Sequence, residues 1–289
     1  MAYRALLVGS YPLTIVACYA VYSLLTQTMP VAYAAYVSAV FGGALVTLHE
    51  WLLPYRRFWH PTLTDLANDS AYMVFGQVAL ERLLVLSAFV VVASFAASSQ
   101  WRVPGLWPYD FPVWVQAVMI LVLGDFLRYW MHRGFHRFGW MWRLHAVHHS
   151  PQRLYWLNVG RFHPFEQSLQ FGVDALPFIV LGISPEVLSV YFVFYAINGF
   201  YQHSNCDVRL GWLNWVVAGP ELHRWHHSIN LDEANHNFGN NLIIWDGLFG
   251  TRYFPRDRDV SVLGIPVPNY PMNFLRQMVA PFDRRISMD

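Results

Sequence analysis

The sequence predicts an all-α integral membrane protein, in which about four transmembrane helices and a helical hairpin carry a cytosolic, histidine-rich cap. Three observations support this prediction. Hydrophobic residues make up 55% of the 289 residues and charged residues only 13%, about half the charged share of a soluble domain. Four apolar stretches are long enough to cross a bilayer, which takes about 20 residues. Eleven of the 13 histidines lie between His132 and His236.

The four apolar stretches cover approximately 7–26, 31–49, 71–97 and 111–131. The first is as long as a membrane span and lacks a small-residue cleavage site, so we expect a retained helix rather than a signal peptide. The third contains Glu81 and Arg82 near its middle. Charges at that depth must pair, face the helix bundle or meet water.

The positions of the arginines predict the orientation. Only Arg102 separates the third stretch from the fourth, whereas six arginines follow between Arg128 and Arg161. By the positive-inside rule, both termini and the histidine-rich region face the cytoplasm. All 19 basic residues are arginine, which is typical of GC-rich bacterial genomes and would make this membrane the bacterial inner membrane. The net charge of +1 leaves no broad basic surface for nucleic acid.

A further apolar region at about 169–202 is interrupted by the sequence GISPE at 182–186. Glycine and proline at this point predict a bend between two helices. The resulting hairpin either crosses the membrane twice or dips into it, and both arrangements leave its flanks on the same side. We therefore predict a transmembrane stalk over 1–130 and a histidine-rich cap over 131–289 that includes this membrane-associated hairpin.

Three histidine clusters dominate the cap: HRGFH at 132–136, HAVHH at 145–149 and HRWHH at 223–227. Helical residues separated by three or four positions share a face, so each cluster can present two imidazoles to one point. One metal ion takes four to six ligands, and the clusters supply more than that. The predicted centre therefore holds two ions, with these candidate ligands: His132, His136, His145, His148, His149, His223, His226 and His227.

The ligand types leave three kinds of metal protein open. No cluster contains a carboxylate, unlike the Glu-x-x-His sites of ferritin-like proteins, and the two cysteines form no CxxC pair. Imidazole suits iron but also binds zinc, so a hydrolytic or non-catalytic zinc membrane protein remains the alternative. A haem carrier is a third possibility, although haem does not need two adjacent histidine doublets. An all-imidazole diiron centre fits the oxidation of a lipid C–H bond by O₂.

These clusters, together with RFHPFE at 161–166, YQHSN at 201–205 and the segment at 234–255, closely resemble the fatty acid hydroxylase/sterol desaturase superfamily. The resemblance covers about 125–255. It implies a membrane-bound, dinuclear-iron oxidoreductase whose cytosolic catalytic cap uses O₂ and two electrons to hydroxylate or desaturate a lipid. Purified protein can carry zinc as a substitute. No cofactor-binding motif for the electrons is visible, so a separate ferredoxin-like or haem-containing donor is expected.

The resemblance also implies further ligands. His203, at the end of the 186–202 helix, and His236, nine residues past His227, are the best candidates to complete both ions. In some relatives a further histidine lies one turn before His203; here that position is Gly199, and His236 is a candidate to compensate. His163 is either a ligand or a structural residue. Asp125, two helical turns before His132, and Asp246 are candidates to accept a proton from the far nitrogen of a ligand, or are helix-end and turn residues. The lipid substrate is not predicted.

Overall fold

The computed structural model describes residues 2–95 and 105–288. These residues form an all-helical protein without a regular strand, as the sequence predicts. The helices are α1 (Ala2–Leu25), α2 (Val31–Leu52), α3 (Leu63–Ala71), α4 (Glu81–Phe95), α5 (Val113–Arg137), α6 (Gly139–His149), α7 (Pro164–Asp174), α8 (Leu176–Val180), α9 (Pro185–His203), α10 (Pro220–His226), α11 (Leu231–Ala234), α12 (Ile244–Phe249) and α13 (Phe274–Gln277).

Four helical segments among the described residues are long and apolar enough to cross a membrane: Tyr3–Leu25, Val31–Leu52, Leu63–Ala88 and Val113–Arg137. This confirms the predicted number, and three of the four positions agree with the apolar stretches. The protein is therefore an integral membrane protein. The predicted end of the third stretch at 97 and the loop residue Arg102 lie outside the described residues.

The third segment begins at Leu63, eight residues before the predicted start. Thr62 caps α3 by accepting a hydrogen bond from the Asp65 backbone N–H (3.2 Å), and Asp65 accepts one in return from the Thr62 backbone (2.9 Å). Hydrophobicity alone missed this start because the first turns of the helix are polar. Tyr72–Leu80 then forms a π-helical stretch that leads directly into α4.

Small residues allow α2 to pack closely against α1 and α9. Ala34, Ala35 and Ser38 are buried on this face of α2, as is typical of contacts between membrane helices. A Cβ atom on Gly42 would lie 1.9 Å from Ile197 Cδ1, so a larger residue at this crossing would require the Ile197 side chain to shift. This packing fixes α9, which ends in His203.

The predicted hairpin is present. α7 and α8 form its first arm and α9 its second, with Gly182 in the left-handed region (φ 72°) at the bend. Ser184 caps α9 and Pro185 occupies its first turn. α5 packs against α7 and α9 and continues without a break through the proposed stalk–cap boundary at 130/131, so its last turns carry His132 and His136.

Candidate metal centre

Nine of the ten predicted ligands converge in two buried groups at the cytosolic end proposed for α5. In each group, one candidate ligand atom of every histidine lies within 4.8 Å of the others. We call them the five-histidine group (His132, His136, His145, His149 and His226) and the four-histidine group (His148, His203, His223 and His227). Helices α5, α6 and α10 supply the first group, and α6, α9 and α10 supply the second.

Each histidine doublet is divided between the two groups. His148 belongs to the four-histidine group and His149 to the five-histidine group, and His227 and His226 are divided in the same way. Neighbouring residues on a helix point about 100° apart, so one doublet serves two adjacent sites. The His149 and His227 rings stack across the divide at 4.5 Å. The sequence shows the doublets but not this division.

Backbone carbonyls fix the orientation of two rings in the five-histidine group. His132 Nδ1 donates to the carbonyl oxygen of Phe238 (2.8 Å), and His226 Nδ1 donates to that of His236 (2.8 Å). A carbonyl oxygen only accepts, so the Nε2 atom of both rings carries a lone pair. His226 Nε2 is buried and has no hydrogen-bond partner among the described residues.

In the same group, the inward nitrogens approach each other closely. His145 Nε2 lies 3.0 Å from His132 Nε2 and 3.1 Å from His149 Nε2, and His136 Nε2 lies 3.1 Å from His149 Nε2. Lone pairs of neutral imidazoles repel at this distance unless a proton or a cation lies between them. Two nitrogens bound at right angles to one ion by bonds of about 2.1 Å would be about 3.0 Å apart. The residues therefore fit a metal ion.

The inward nitrogens of the four-histidine group also lie close together. His203 Nε2 lies 3.0 Å from His223 Nε2, which lies 3.1 Å from His227 Nε2. The side-chain amide of Asn158 donates to the carbonyl of Arg153 and thus turns its oxygen toward His203 Nδ1 (2.9 Å). His203 therefore presents a lone pair inward. This group would offer an ion four imidazoles, one fewer than the five-histidine group.

Burial keeps the imidazoles neutral. Desolvation, followed by the neighbouring histidines, holds the pKa of His145, His148 and His149 well below its usual value. Burial likewise lowers the pKa of His226 to about 4. Neutral imidazole is the form that binds metal, so these rings are ready to coordinate at physiological pH.

Glu166 is the carboxylate that contacts a ligand imidazole. Its Oε1 lies 2.6 Å from His145 Nδ1, and the glutamate is fully buried in the first turn of α7. Carboxylates in this position orient a ligand ring and raise its basicity. Glu166 is part of the RFHPFE motif, but the sequence alone does not predict its contact with His145. The sequence feature that could have indicated this role is the position of Glu166, three residues after His163, which caps α7.

Asp125 and Asp246 act on the backbone rather than on the imidazoles. Asp125 accepts from the backbone N–H groups of Asn241 (2.7 Å) and Leu242, and Asp246 accepts from those of Phe238 (2.8 Å) and Gly239. Of the two roles expected for these aspartates, their contacts match the structural one rather than acceptance from a ligand imidazole. They hold the 238–242 loop, whose Phe238 carbonyl orients His132.

His163 and His236 lie outside both groups. His163 Nδ1 accepts from the Phe165 backbone (3.2 Å) and so caps α7, while its Nε2 faces the Met278 carbonyl. His236 packs its ring 5.0 Å from Tyr253 and contributes only its backbone carbonyl, to His226. The structure therefore brings nine imidazoles together and gives His236 a supporting position.

Comparison with known proteins agrees with this arrangement. The fatty acid hydroxylase family model matches residues 117–251, a range that contains all nine histidines. Ornithine lipid hydroxylase OlsE of Rhizobium tropici is 34% identical over 252 residues, which cover 86% of this chain and 75% of the relative. The chain belongs to the fatty acid hydroxylase family. Ornithine lipid hydroxylase, alkylglycerol monooxygenase and sterol desaturase are relatives within the same superfamily.

Other relatives match a smaller share of the chain. Human alkylglycerol monooxygenase is 30% identical over 182 residues, which are 63% of this chain and 39% of the relative. A putative Δ7-sterol-C5(6)-desaturase of Arabidopsis thaliana is 30% identical over 142 residues, or 47% of this chain and 48% of the relative. The chain thus spans less than half the length of either protein. No solved structure matches the chain.

Proposed function

We propose that this protein is a membrane-bound oxygenase that uses two iron ions and O₂ to hydroxylate or desaturate a membrane lipid. The observation that carries the proposal is the convergence of nine imidazoles, eight of them buried and His136 half-buried, in two groups joined by the divided doublets. Family membership supports an oxidoreductase that acts on lipids. A redox-active metal pair held by these groups supplies the O₂ activation that the side chains lack.

The chain's own residues position this chemistry and keep water out. Phe162 stacks on His148 at 4.1 Å, Phe135 stacks on His145 at 5.3 Å, and Phe238 meets the edge of His132 at 5.7 Å. Glu166 and the carbonyl of Phe238 fix ring orientations. A dry, preorganised centre limits side reactions of O₂, so the aromatic side chains restrict the reaction to a bound lipid.

The proposed reaction balances with two electrons from a separate ferredoxin-like or haem-containing donor. In hydroxylation, a C–H bond breaks, one oxygen atom enters the lipid as a hydroxyl group, and the other leaves as water with two protons from solvent. In desaturation, two neighbouring carbons each lose a hydrogen and both oxygen atoms leave as water. The ornithine lipid named for the Rhizobium relative makes an aminolipid the first substrate to test.

The deciding experiment supplies iron-loaded protein in lipid bilayers with O₂ and a ferredoxin-based reducing system, and follows the lipids by mass spectrometry. We expect a product with one added oxygen atom or two fewer hydrogen atoms. His226→Ala should abolish it, whereas His60→Ala should not. The His60 ring stacks on Trp51, remote from both histidine groups, and the substitution keeps the backbone carbonyl that accepts from Arg153. Zinc alone does not discriminate, since imidazole sites bind it readily. No product under any reducing condition would contradict the proposal and favour the zinc alternative.

A further inference from the structure

Five polar side chains come together where two of the membrane-crossing segments meet the helical hairpin. They are Glu81 of α4, Arg128 of α5, Asp174 of α7, and Tyr191 and Tyr195 of α9, and we call this set the polar chamber. The four helices pack around it, since α5 contacts α7 and α9 and α4 contacts α7. Ionisable residues at such positions are costly and usually functional.

An ion pair forms the centre of the polar chamber. Arg128 Nη1 contacts Asp174 Oδ2, with 6% of the arginine side chain and 14% of the aspartate side chain exposed. Tyr195 donates to the same carboxylate at 3.4 Å. Arg128 makes no other hydrogen bond among the described residues, although a guanidinium carries five N–H donors. Its remaining donors are available to a ligand.

The other polar groups in the chamber are also unsatisfied. Glu81 forms no hydrogen bond or ion pair among the described residues, yet its carboxylate lies close enough to Asp174 to interact electrostatically. The Tyr191 hydroxyl likewise has no hydrogen-bond partner within the described part of the chain, and Tyr191 interacts electrostatically with Asp174 and Arg128. Glu81 is also the acidic residue near the middle of the third apolar stretch, where an ionised group needs a partner or water.

The polar chamber adjoins the metal centre. Arg128 lies one helical turn before His132, on the same face of α5. Its Cζ atom is 6.0 Å from the centre of the Phe162 ring, which stacks on His148. α7 connects the two sites as well, since it carries Asp174 at its end and Glu166, which contacts His145, in its first turn.

The charges in the chamber select a ligand type. The polar chamber contains two carboxylates and one guanidinium, and the exposed Arg82 also interacts electrostatically with Glu81. A ligand that matches the inner groups carries a positive charge for the carboxylates and an oxygen that accepts from Arg128. A buried ion pair is weak evidence of a purely stabilising role, because desolvation offsets most of its attraction. Free donors and acceptors beside it instead match a primary ammonium next to an anionic oxygen.

We propose that the polar chamber binds the headgroup of an aminolipid substrate, with Glu81 and Asp174 facing its ammonium and Arg128 facing its carboxylate or phosphate. This rests on the proposed function, because the headgroup would hold the lipid beside the metal centre. Glu81 and Arg128 are then residues that determine specificity, while the histidines remain responsible for oxidation. Both amino-acid lipids and phosphatidylethanolamine carry the required chemistry.

Binding can be measured without turnover. Metal-loaded protein is placed in phosphatidylcholine nanodiscs that contain an ornithine-type lipid, phosphatidylethanolamine or phosphatidylglycerol, and the lipid retained after washing in detergent is counted by mass spectrometry. We expect enrichment of one or both primary amines over phosphatidylglycerol. Glu81→Gln should reduce that enrichment about tenfold, as the loss of one charged hydrogen bond predicts. Comparison of the ornithine-type lipid with phosphatidylethanolamine shows which of the two primary amines the protein prefers.

An exposed glutamate provides a matched control. Glu186 lies in the first turn of α9, outside the polar chamber, and takes the same substitution. Glu186→Gln should leave the enrichment unchanged. Asp174→Asn should reduce it as Glu81→Gln does, and metal content and melting temperature establish that each variant is folded.

The outcomes separate the two proposals. Equal retention of amine and non-amine lipids by the wild-type protein, or unchanged enrichment in folded Glu81→Gln, would overturn the aminolipid assignment even if some lipid is oxidised. Amine enrichment that disappears in Glu81→Gln supports the assignment whether or not oxidation is observed. A failure of the oxygenase proposal appears in the turnover experiment instead, as the absence of any oxidised lipid.

Discussion

At the scale of single residues, the groups behind the imidazoles decide how the imidazoles point. Glu166, Asn158 and the carbonyl of Phe238 each face an Nδ1 atom and direct Nε2 inward. The ligand histidines are conspicuous in the sequence because they are rare and clustered. Their orienting partners are common residues at distant positions, so only the folded chain identifies them.

Removing the carboxylate behind His145 should weaken metal binding. Glu166→Ala frees the His145 ring to rotate, and loss of such a partner typically lowers metal affinity about 10- to 100-fold. Metal titration of the purified protein measures the change. Glu186→Ala, an exposed glutamate in the first turn of α9, serves as the control. Identical metal affinities for both variants would show that His145 is held by packing alone.

His236 and His226 should respond differently to the same substitution. His236→Ala keeps the backbone carbonyl that accepts from His226, so we expect its metal content to equal that of the wild type. His226→Ala removes a ligand and should lose metal from the five-histidine group. Elemental analysis of both proteins tests this. Metal loss in His236→Ala would restore His236 as a tenth ligand.

At the scale of secondary-structure elements, the histidine doublets connect the two proposed metal sites. α6 ends in the doublet His148–His149, and α10 ends at His226 and is followed directly by His227; the members of each doublet face different groups. The helical spacing predicted which histidines share a face, but left open whether the first or the second member of each doublet joins a given partner. That choice depends on how α6 and α10 cross, which is a tertiary property.

Single substitutions in the α6 doublet should therefore affect different sites. His149→Ala removes a ligand from the five-histidine group and His148→Ala removes one from the four-histidine group. We expect each variant to fall from about two metal ions to about one. Spectra of cobalt-substituted protein should then show the loss of a different component in each variant. Identical spectra would mean that the groups do not bind metal separately.

The buried carboxylates of Asp125 and Asp246 hold the 238–242 loop in place through its backbone N–H groups. Asp246→Ala removes hydrogen bonds to Phe238, Gly239 and Thr251 and should lower the free energy of unfolding by about 2–4 kcal/mol. Thermal denaturation in detergent measures the shift. Asp232→Ala, an exposed control in α11, should leave the melting temperature unchanged. An equal effect in both variants would contradict the anchoring role.

At the scale of the whole molecule, hydrophobicity predicted the four membrane-crossing helices and the hairpin because both follow from long apolar runs. It missed the start of α3, where Asp65, Asn68 and Asp69 make the helix polar. Asp69 is fully buried and pairs with Arg161 of the cap. Such a contact between distant segments leaves no pattern in the sequence around either residue.

The proposed orientation places both termini and the metal centre in the cytoplasm. A reporter that is active only in the periplasm should give no signal when fused after residue 289, whereas a cytoplasmic fluorescent reporter should give a strong one. The distribution of arginines is the physical reason. A periplasmic signal from the C-terminal fusion would reverse the assignment, while the helix count would be unaffected.

One rigid rod, α5, carries both Arg128 and His132. Four residues of α-helix rise about 6 Å, so the proposed headgroup anchor and the metal centre keep a fixed separation. With the headgroup held at Arg128, the distance from the headgroup to the metal centre would determine which carbon of the lipid is oxidised. The oxidised carbon should therefore lie within a few bonds of the anchored group, whatever the length of the acyl chains behind it.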